Sequence, residues 1–255
     1  MISHTISFDI GFSLLNFQAL LAHGASGVLF CSRKPCEALV SSLKEEFTEA
    51  KIVHVECDVS TSDGRSILVE AAKDNFGRVQ GLINNVGTNQ RRPILEQTEE
   101  EYRRMMTTNV DSAYFLCRLF SDVFDEETGA TIVNVSSAAG VQSSGTGAAY
   151  GMTKAALNHF TKILACEWAK RNIRVNAVTP WMTMTPMLQD AVKKNPSELD
   201  KVNAWTPMHR LASAEEVAGP IIFLCLPASS YVTGQVLGID GGLTAQGFDG
   251  PCVTP

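Results

Sequence analysis

Short apolar runs rich in β-branched residues alternate along the chain with longer amphipathic stretches. Gly27 to Ser32 (GVLFCS) reads as a buried strand, and Pro35 opens a helix that runs to about Phe47. Ile52 to Cys57 (IVHVEC) predicts a second strand, and Ser60 to Phe76 a helix opened by Ser and Thr caps. Next come a strand over Val79 to Ile83 and a helix from Glu99 to about Phe124. A strand over Thr131 to Val135 precedes a long helix from Ala148 to Arg171. Ile173 to Val178 is a strand, Ala214 to Leu226 a helix, and Gln235 to Ile239 the last strand. This alternation predicts a single α/β domain over residues 1–255, with a doubly wound parallel sheet covered on both faces. Ligands bind such sheets beyond the carboxyl ends of the strands. The rhythm breaks from about Thr183 to Arg210. With Met182, Met184, Met187, Trp205 and Met208 in or beside it, this stretch reads as a mobile lid over an apolar pocket. The plainer alternative is a surface helix pair.

Composition narrows the classes. No repeat, low-complexity run or Pro/Gly linker divides the 255 residues, enough for a sizeable core. Hydrophobic residues at 45% and charged residues at 19% suit a globular chain rather than a disordered one. A net charge of −6 argues against a general nucleic-acid surface, which needs clustered Lys and Arg. An anionic cofactor needs only local positive charge. Seven scattered cysteines form no CxxC pair, and several sit in apolar runs, so buried reduced thiols are expected. The five histidines lack ligand spacing, and no metal is expected. Asp9 interrupts the N-terminal apolar run, so no signal peptide is expected. No stretch is apolar and long enough for a bilayer, and the expected compartment is the cytosol, with an organelle left open.

The chemistry concentrates near the long helix. Tyr150 and Lys154 stand four apart in AAYGMTKAALNHF and share one helix face. A neighbouring ammonium favours the phenolate, which suits Tyr150 to exchange a proton with a carbonyl oxygen. A lone YxxxK is weak evidence. Ser137, thirteen residues earlier in VSSAAG, follows a predicted strand and could hydrogen-bond the same oxygen. Asn109 sits mid-helix in MTTNVDSA, where its propensity is poor. Asn84-Asn85-Val86-Gly87 ends the preceding strand. Singly, Tyr150 reads equally as an interface tyrosine, Lys154 as a solvated surface lysine and Ser137 as a helix cap. Jointly those readings require four coincidences in register.

In order and spacing, Asn109, Ser137, Tyr150 and Lys154, with NNVG upstream, match the short-chain dehydrogenase/reductase pattern. The chain resembles that family over roughly Gln18 to Phe248. NNVGTN, LACEWAKRNIRVNAV, FLCLPASSYVTGQ and DGGLTAQGF are most similar to its tropinone-reductase-like branch. The resemblance implies a Rossmann-like fold in which Tyr150 is the general acid/base. It makes Lys154 the group that lowers the Tyr150 pKa and holds the nicotinamide ribose. Ser137 positions the carbonyl, and Asn109 supports a relay water beside Lys154. It also implies a homodimer or homotetramer assembled through the helices around Glu100 to Phe124 and Ala148 to Arg171. Phe115, Leu119, Phe120, Phe160 and Trp168 read as contacts there or equally as core.

The cofactor side is uneven. Arg33, after Ser32 at the end of the GVLFCS strand, accommodates a 2′-phosphate where an acidic residue would bind a 2′-hydroxyl, so NADP(H) is expected. Asp58 and Val59 resemble the family pair at adenine. Pro180, Thr183 and Thr185, in TPWMTMT, stand where the family grips the nicotinamide amide, with Trp181 where many relatives have Gly. Upstream, the family's TGxxxGxG would fall on Ile6 to Ser13 (ISFDIGFS), and Gly11 alone survives of its three glycines. Phe8 and Asp9 bring bulk and negative charge near a phosphate, and the first strand is cut to MISHTI. Two explanations stand: residues 1–17 replace the true start in a truncated or misassembled product, or the chain has lost tight cofactor binding. The abrupt end of the damage near Gln18 favours the first. A shortened central strand leaves ladder groups exposed and lowers stability.

The expected activity is NADP(H)-dependent reduction of a small, largely apolar ketone or aldehyde to an alcohol, in a pocket lined by Trp181, Met182, Met184, Met187 and Trp205. One alternative is a 3-oxoacyl-carrier-protein reductase, for which Arg91-Arg92 and Lys193-Lys194 are the faint docking candidates. The other is a non-catalytic binding or sensor member of the family.

Overall fold

The computed structural model describes residues 4–8 (backbone only), 17–184, 188 and 197–247. Seven parallel strands form one sheet: β1 (His4–Phe8), β2 (Gly27–Ser32), β3 (Lys51–Glu56), β4 (Gly81–Asn84), β5 (Ala130–Val135), β6 (Ile173–Pro180) and β7 (Val236–Ile239). Their order is β3-β2-β1-β4-β5-β6-β7. The direction of winding reverses between β1 and β4, and a crevice opens at such a switch point beyond the strand ends. The sequence ended the first strand at Ile6. Its backbone runs on to Phe8, because pairing with β2 continues as far as Cys31. On its other side β1 pairs with β4 from Thr5 to Ser7.

Successive side chains of β2 serve opposite faces, as the period of two requires. Leu29 and Cys31 join Leu68, Leu116, Phe120 and Val175 in one core layer. Val28 and Phe30 join Phe17, Leu43, Val133 and Ile221 in the other. The first layer packs under α3 (Ser62–Phe76), α5 (Ser112–Phe120) and α6 (Ala148–Trp168). The second packs under α1 (residues 17–22), α2 (Glu37–Glu46) and α8 (Ala214–Cys225). All six residues of β2 and of β5 are buried, which is why those strands read as unbroken apolar runs.

The helix expected over Glu99 to Phe124 is divided. α4 (Glu99–Met106) starts with a capping box between Thr98 and Glu101, gives way to a π-helical turn at Thr107–Asp111, and resumes as α5. Such turns gather at functional sites, and this one carries Asn109. Within the lid region, α7 (Glu198–Trp205) is the described helix. Trp205 and Met208 are more than half exposed, whereas Thr206 is buried and accepts a hydrogen bond from Trp181 Nε1 at 3.1 Å. Met187 lies outside the described residues. Phe120 is fully buried core, and Leu119 is exposed. No helix among the described residues is long and apolar enough to cross a membrane.

Candidate active site

Three connected cavities follow one another along the carboxyl ends of the strands. The middle one, of about 360 Å³, is lined by Asn85 and Gly87 beyond β4, Ser137 beyond β5, Pro180 and Thr183 at β6, and Tyr150 and Lys154 from α6. It shares Gly87 and Thr88 with a cavity of about 380 Å³ at the ends of β2 and β3. It shares Arg91, Thr146, Trp181 and Met182 with one of about 570 Å³ under the lid region. The arrangement brings together Ser137, Tyr150 and Lys154, which the sequence separates by seventeen positions.

Lys154 is not a solvated surface lysine. It is 3% exposed, and its Nζ donates to Val135 O at 2.8 Å. Ser136 Oγ donates to the Lys154 carbonyl at 2.9 Å, so the exit of β5 is fastened to α6. Gly140 makes that approach possible, since a Cβ there would sit 2.6 Å from the Lys154 carbonyl carbon. Burial drives the Lys154 ammonium down to about 8. Its Nζ lies 5.7 Å from the centroid of the Tyr150 ring.

Ser137 does cap the short turn Ala138–Gly140, accepting from Ala139 N at 3.2 Å, and is also a hydrogen-bonding neighbour of the Tyr150 hydroxyl. The phenol departs from the sequence expectation. Its pKa is raised, because burial outweighs the lowering by Ser137 and by the Arg91 guanidinium. Burial lowers the Lys154 ammonium to about 8, so it still carries its proton at neutral pH, while the lowering of the phenol comes from Ser137 and Arg91.

Asn109 is 1% exposed and its amide is fully engaged. Its Oδ1 accepts from Thr88 N at 2.7 Å, while Nδ2 donates to Thr88 O at 2.9 Å and to Thr153 Oγ1 at 3.0 Å. Thr153 in turn donates to Tyr150 O at 2.8 Å. The amide therefore ties the loop after β4 to α6, a use that no local pattern signals.

At the β2 end, Ser32, Arg33, Asp58 and Val59 line one cavity, as expected, together with Arg104 and Thr108, which the sequence reading did not single out. Ser32 Oγ donates to Lys34 O at 2.6 Å and lies 2.7 Å from His54 Nε2. Neither Arg33 nor Arg104 forms an ion pair among the described residues, which leaves both guanidinium groups to a phosphate. A Cβ at Gly87 would stand 3.3 Å from Lys154 Nζ, in the passage between the two cavities, so glycine keeps that passage open. The residues present thus fit a dinucleotide lying from Arg33 to Lys154. Gly11 and Thr185 fall outside the described residues, as do the other residues from 9 to 16.

Arg91, which the sequence offered only as half of a faint carrier-docking pair, stands instead at the substrate side of the site. Its side chain reaches the wall shared by the middle and largest cavities. Nothing in its spacing from Gly87 announces this, because the loop that carries it has no periodicity.

Comparison with known proteins agrees with the geometry. A family model described as enoyl-(acyl carrier protein) reductase, of the short-chain dehydrogenase type, matches residues 16–244. A tropinone reductase homolog of Arabidopsis thaliana is 44% identical over 193 residues, covering 75% of this chain and 73% of that protein. A second such homolog from the same plant is 34% identical over 252 residues, covering 92% and 93%. Among solved structures, ElxO with NADP bound superposes with a TM-score of 0.89 at 26% identity, covering 96% of this chain and all of the other. L-Sorbose reductase from Gluconobacter frateurii, complexed with NADPH and L-sorbose, gives 0.88 at 30% identity, covering 96% and 98%. The chain belongs to the short-chain dehydrogenase/reductase family and is an oxidoreductase of Rossmann fold.

Proposed function

We propose that the protein reduces a small, largely apolar ketone or aldehyde to an alcohol, reversibly, with NADPH. The carrying observation is the convergence of Ser137, Tyr150 and the buried Lys154 on one cavity, open on one side to a basic dinucleotide groove and on the other to Trp181, Met182 and Trp205. NADPH, when bound, would supply the hydride for the carbonyl carbon. Tyr150 gives its hydroxyl proton to the carbonyl oxygen, and Ser137 donates a hydrogen bond to that oxygen, which holds the carbonyl in line. Lys154, fixed to Val135 O and lining the cavity, would hold the ribose hydroxyls with its remaining protons. Asn109 acts as a positioning residue through Thr88 and Thr153. Arg33 and Arg104, which line the same cavity, would hold the 2′-phosphate, and Asp58 and Val59 would hold the adenine. Pro180 and Thr183 flank the nicotinamide end. Exposed Tyr114, Leu119 and Ile163 on α5 and α6 support assembly of copies through those helices.

A carrier-protein reductase is less well supported. Arg92 is already paired with Glu101 at 2.9 Å, which halves the basic pair, and Lys193-Lys194 lie outside the described residues. A non-catalytic role predicts no NADPH binding, and calorimetric titration decides it. The principal test is NADPH oxidation over a panel of cyclic ketones by the native protein and by Tyr150→Phe. A loss of roughly 10²-fold or more in kcat, with NADPH binding kept, is expected. Equal rates in the two proteins would overturn the assignment.

A further inference from the structure

We propose that the substrate is an oxo acid, a ketone or aldehyde carrying a carboxylate close to its carbonyl group, and that Arg91 is the residue that selects it. The inference rests on the carbonyl-reductase reading above and specifies its substrate class.

Four observations lead there. Arg91 lines both the cavity that holds Ser137 and Tyr150 and the larger one beneath Trp205, so a molecule occupying both must pass it. Among the described residues, it is the one charged side chain lining the larger cavity, and neither cavity is lined by any Asp or Glu. Arg91 has no carboxylate partner among the described residues. Its Nη2 lies 4.0 Å from the Met182 sulfur, whereas the adjacent Arg92 is held by Glu101. The Arg91 charge is also felt at the Tyr150 phenol, which places the guanidinium within electrostatic reach of the reacting oxygen.

A guanidinium whose one side-chain contact among the described residues is a long, weak one to a thioether suits a planar carboxylate, which it can bind through two parallel hydrogen bonds. The carbon skeleton then lies against Trp181, Met182 and Trp205. The carboxylate takes no part in the reaction. The carbonyl carbon gains a hydride, with its two electrons, from NADPH, and the oxygen gains the Tyr150 proton. The cofactor leaves oxidised and the product is a hydroxy acid. A ketone bearing a protonated amine is opposed in this site, since Arg91 and Lys154 repel it and no carboxylate among the described residues lines these walls.

The test compares kcat/KM with NADPH for matched ketones, each supplied as its carboxylate and as its uncharged amide, with 1-methyl-4-piperidone as the cationic member. The set is run on the native protein and on Arg91→Gln. The native protein should prefer carboxylate to amide by tenfold or more, mainly through KM, with the cation poorest. The preference should weaken as salt rises. Arg91→Gln should bring the carboxylate-to-amide ratio near one. That ratio cancels any general loss of activity, so a merely structural role for Arg91 would leave it unchanged. Amides reduced as efficiently as the acids, or a ratio that survives in Arg91→Gln, would overturn this inference while the carbonyl-reductase reading stands. No turnover of any ketone by a folded sample that binds NADPH would overturn both.

Discussion

Replacing Lys154 by Met should stabilise the protein at neutral pH and abolish its chemistry. The ammonium ordinarily titrates at 10.5 and is driven to about 8 by burial, with Nζ inside the sheet–helix junction. At 1.36 kcal/mol per pH unit, holding it charged in the folded chain costs about 3 kcal/mol. Below pH 8 both folded and unfolded chains carry the proton, and the whole cost is present. Between about 8 and 10.5 the unfolded chain binds more protons than the folded one, so native stability rises with pH through that window. Met fills a similar volume without charge and forgoes the hydrogen bond to Val135 O, at about 1 kcal/mol. The variant should therefore be about 2 kcal/mol more stable at pH 7, with a melting temperature roughly 4–8 °C higher. The gap should close near pH 10, where the native lysine has shed its proton on folding. Thermal unfolding of both proteins from pH 7 to 10, alongside NADPH oxidation, measures this. A variant that melts lower at pH 7, or a gap that does not change with pH, would refute the claim that a buried charge is held here at a cost in stability.

Two further outcomes follow from the same contacts. Asn109→Ala removes three side-chain hydrogen bonds, and should cost about 3 kcal/mol and lower the melting temperature by roughly 6–12 °C; unchanged melting would show that the clip between Thr88 and α6 bears no load. Arg33→Ala should reduce kcat/KM for NADPH by roughly tenfold or more while leaving NADH almost untouched, measured by steady-state rates with each cofactor, and equal losses for both would remove Arg33 from the 2′-phosphate.

Much of the molecule is readable without coordinates because its signals are local. The strand runs at Gly27 to Ser32 and Ala130 to Val135 are apolar throughout since both faces of each are covered. Tyr150 and Lys154 share a face by helical spacing alone. What the chain order leaves open is set by atoms distant in sequence. The π-helical turn at Thr107–Asp111 interrupts a stretch that reads as one helix, and its Asn109 is spent on Thr88 and Thr153. Four residues of separation report the proximity of Tyr150 and Lys154 but not the loss of solvent around them. Burial raises the phenol pKa and lowers that of the ammonium, and both effects sum over walls from β4, β5, β6 and the Arg91 loop. Periodicity thus determines which face of each element is covered, and with it the sheet. Packing alone decides which charges lose their water and which, like Arg91, are left facing a cavity with no carboxylate partner among the described residues.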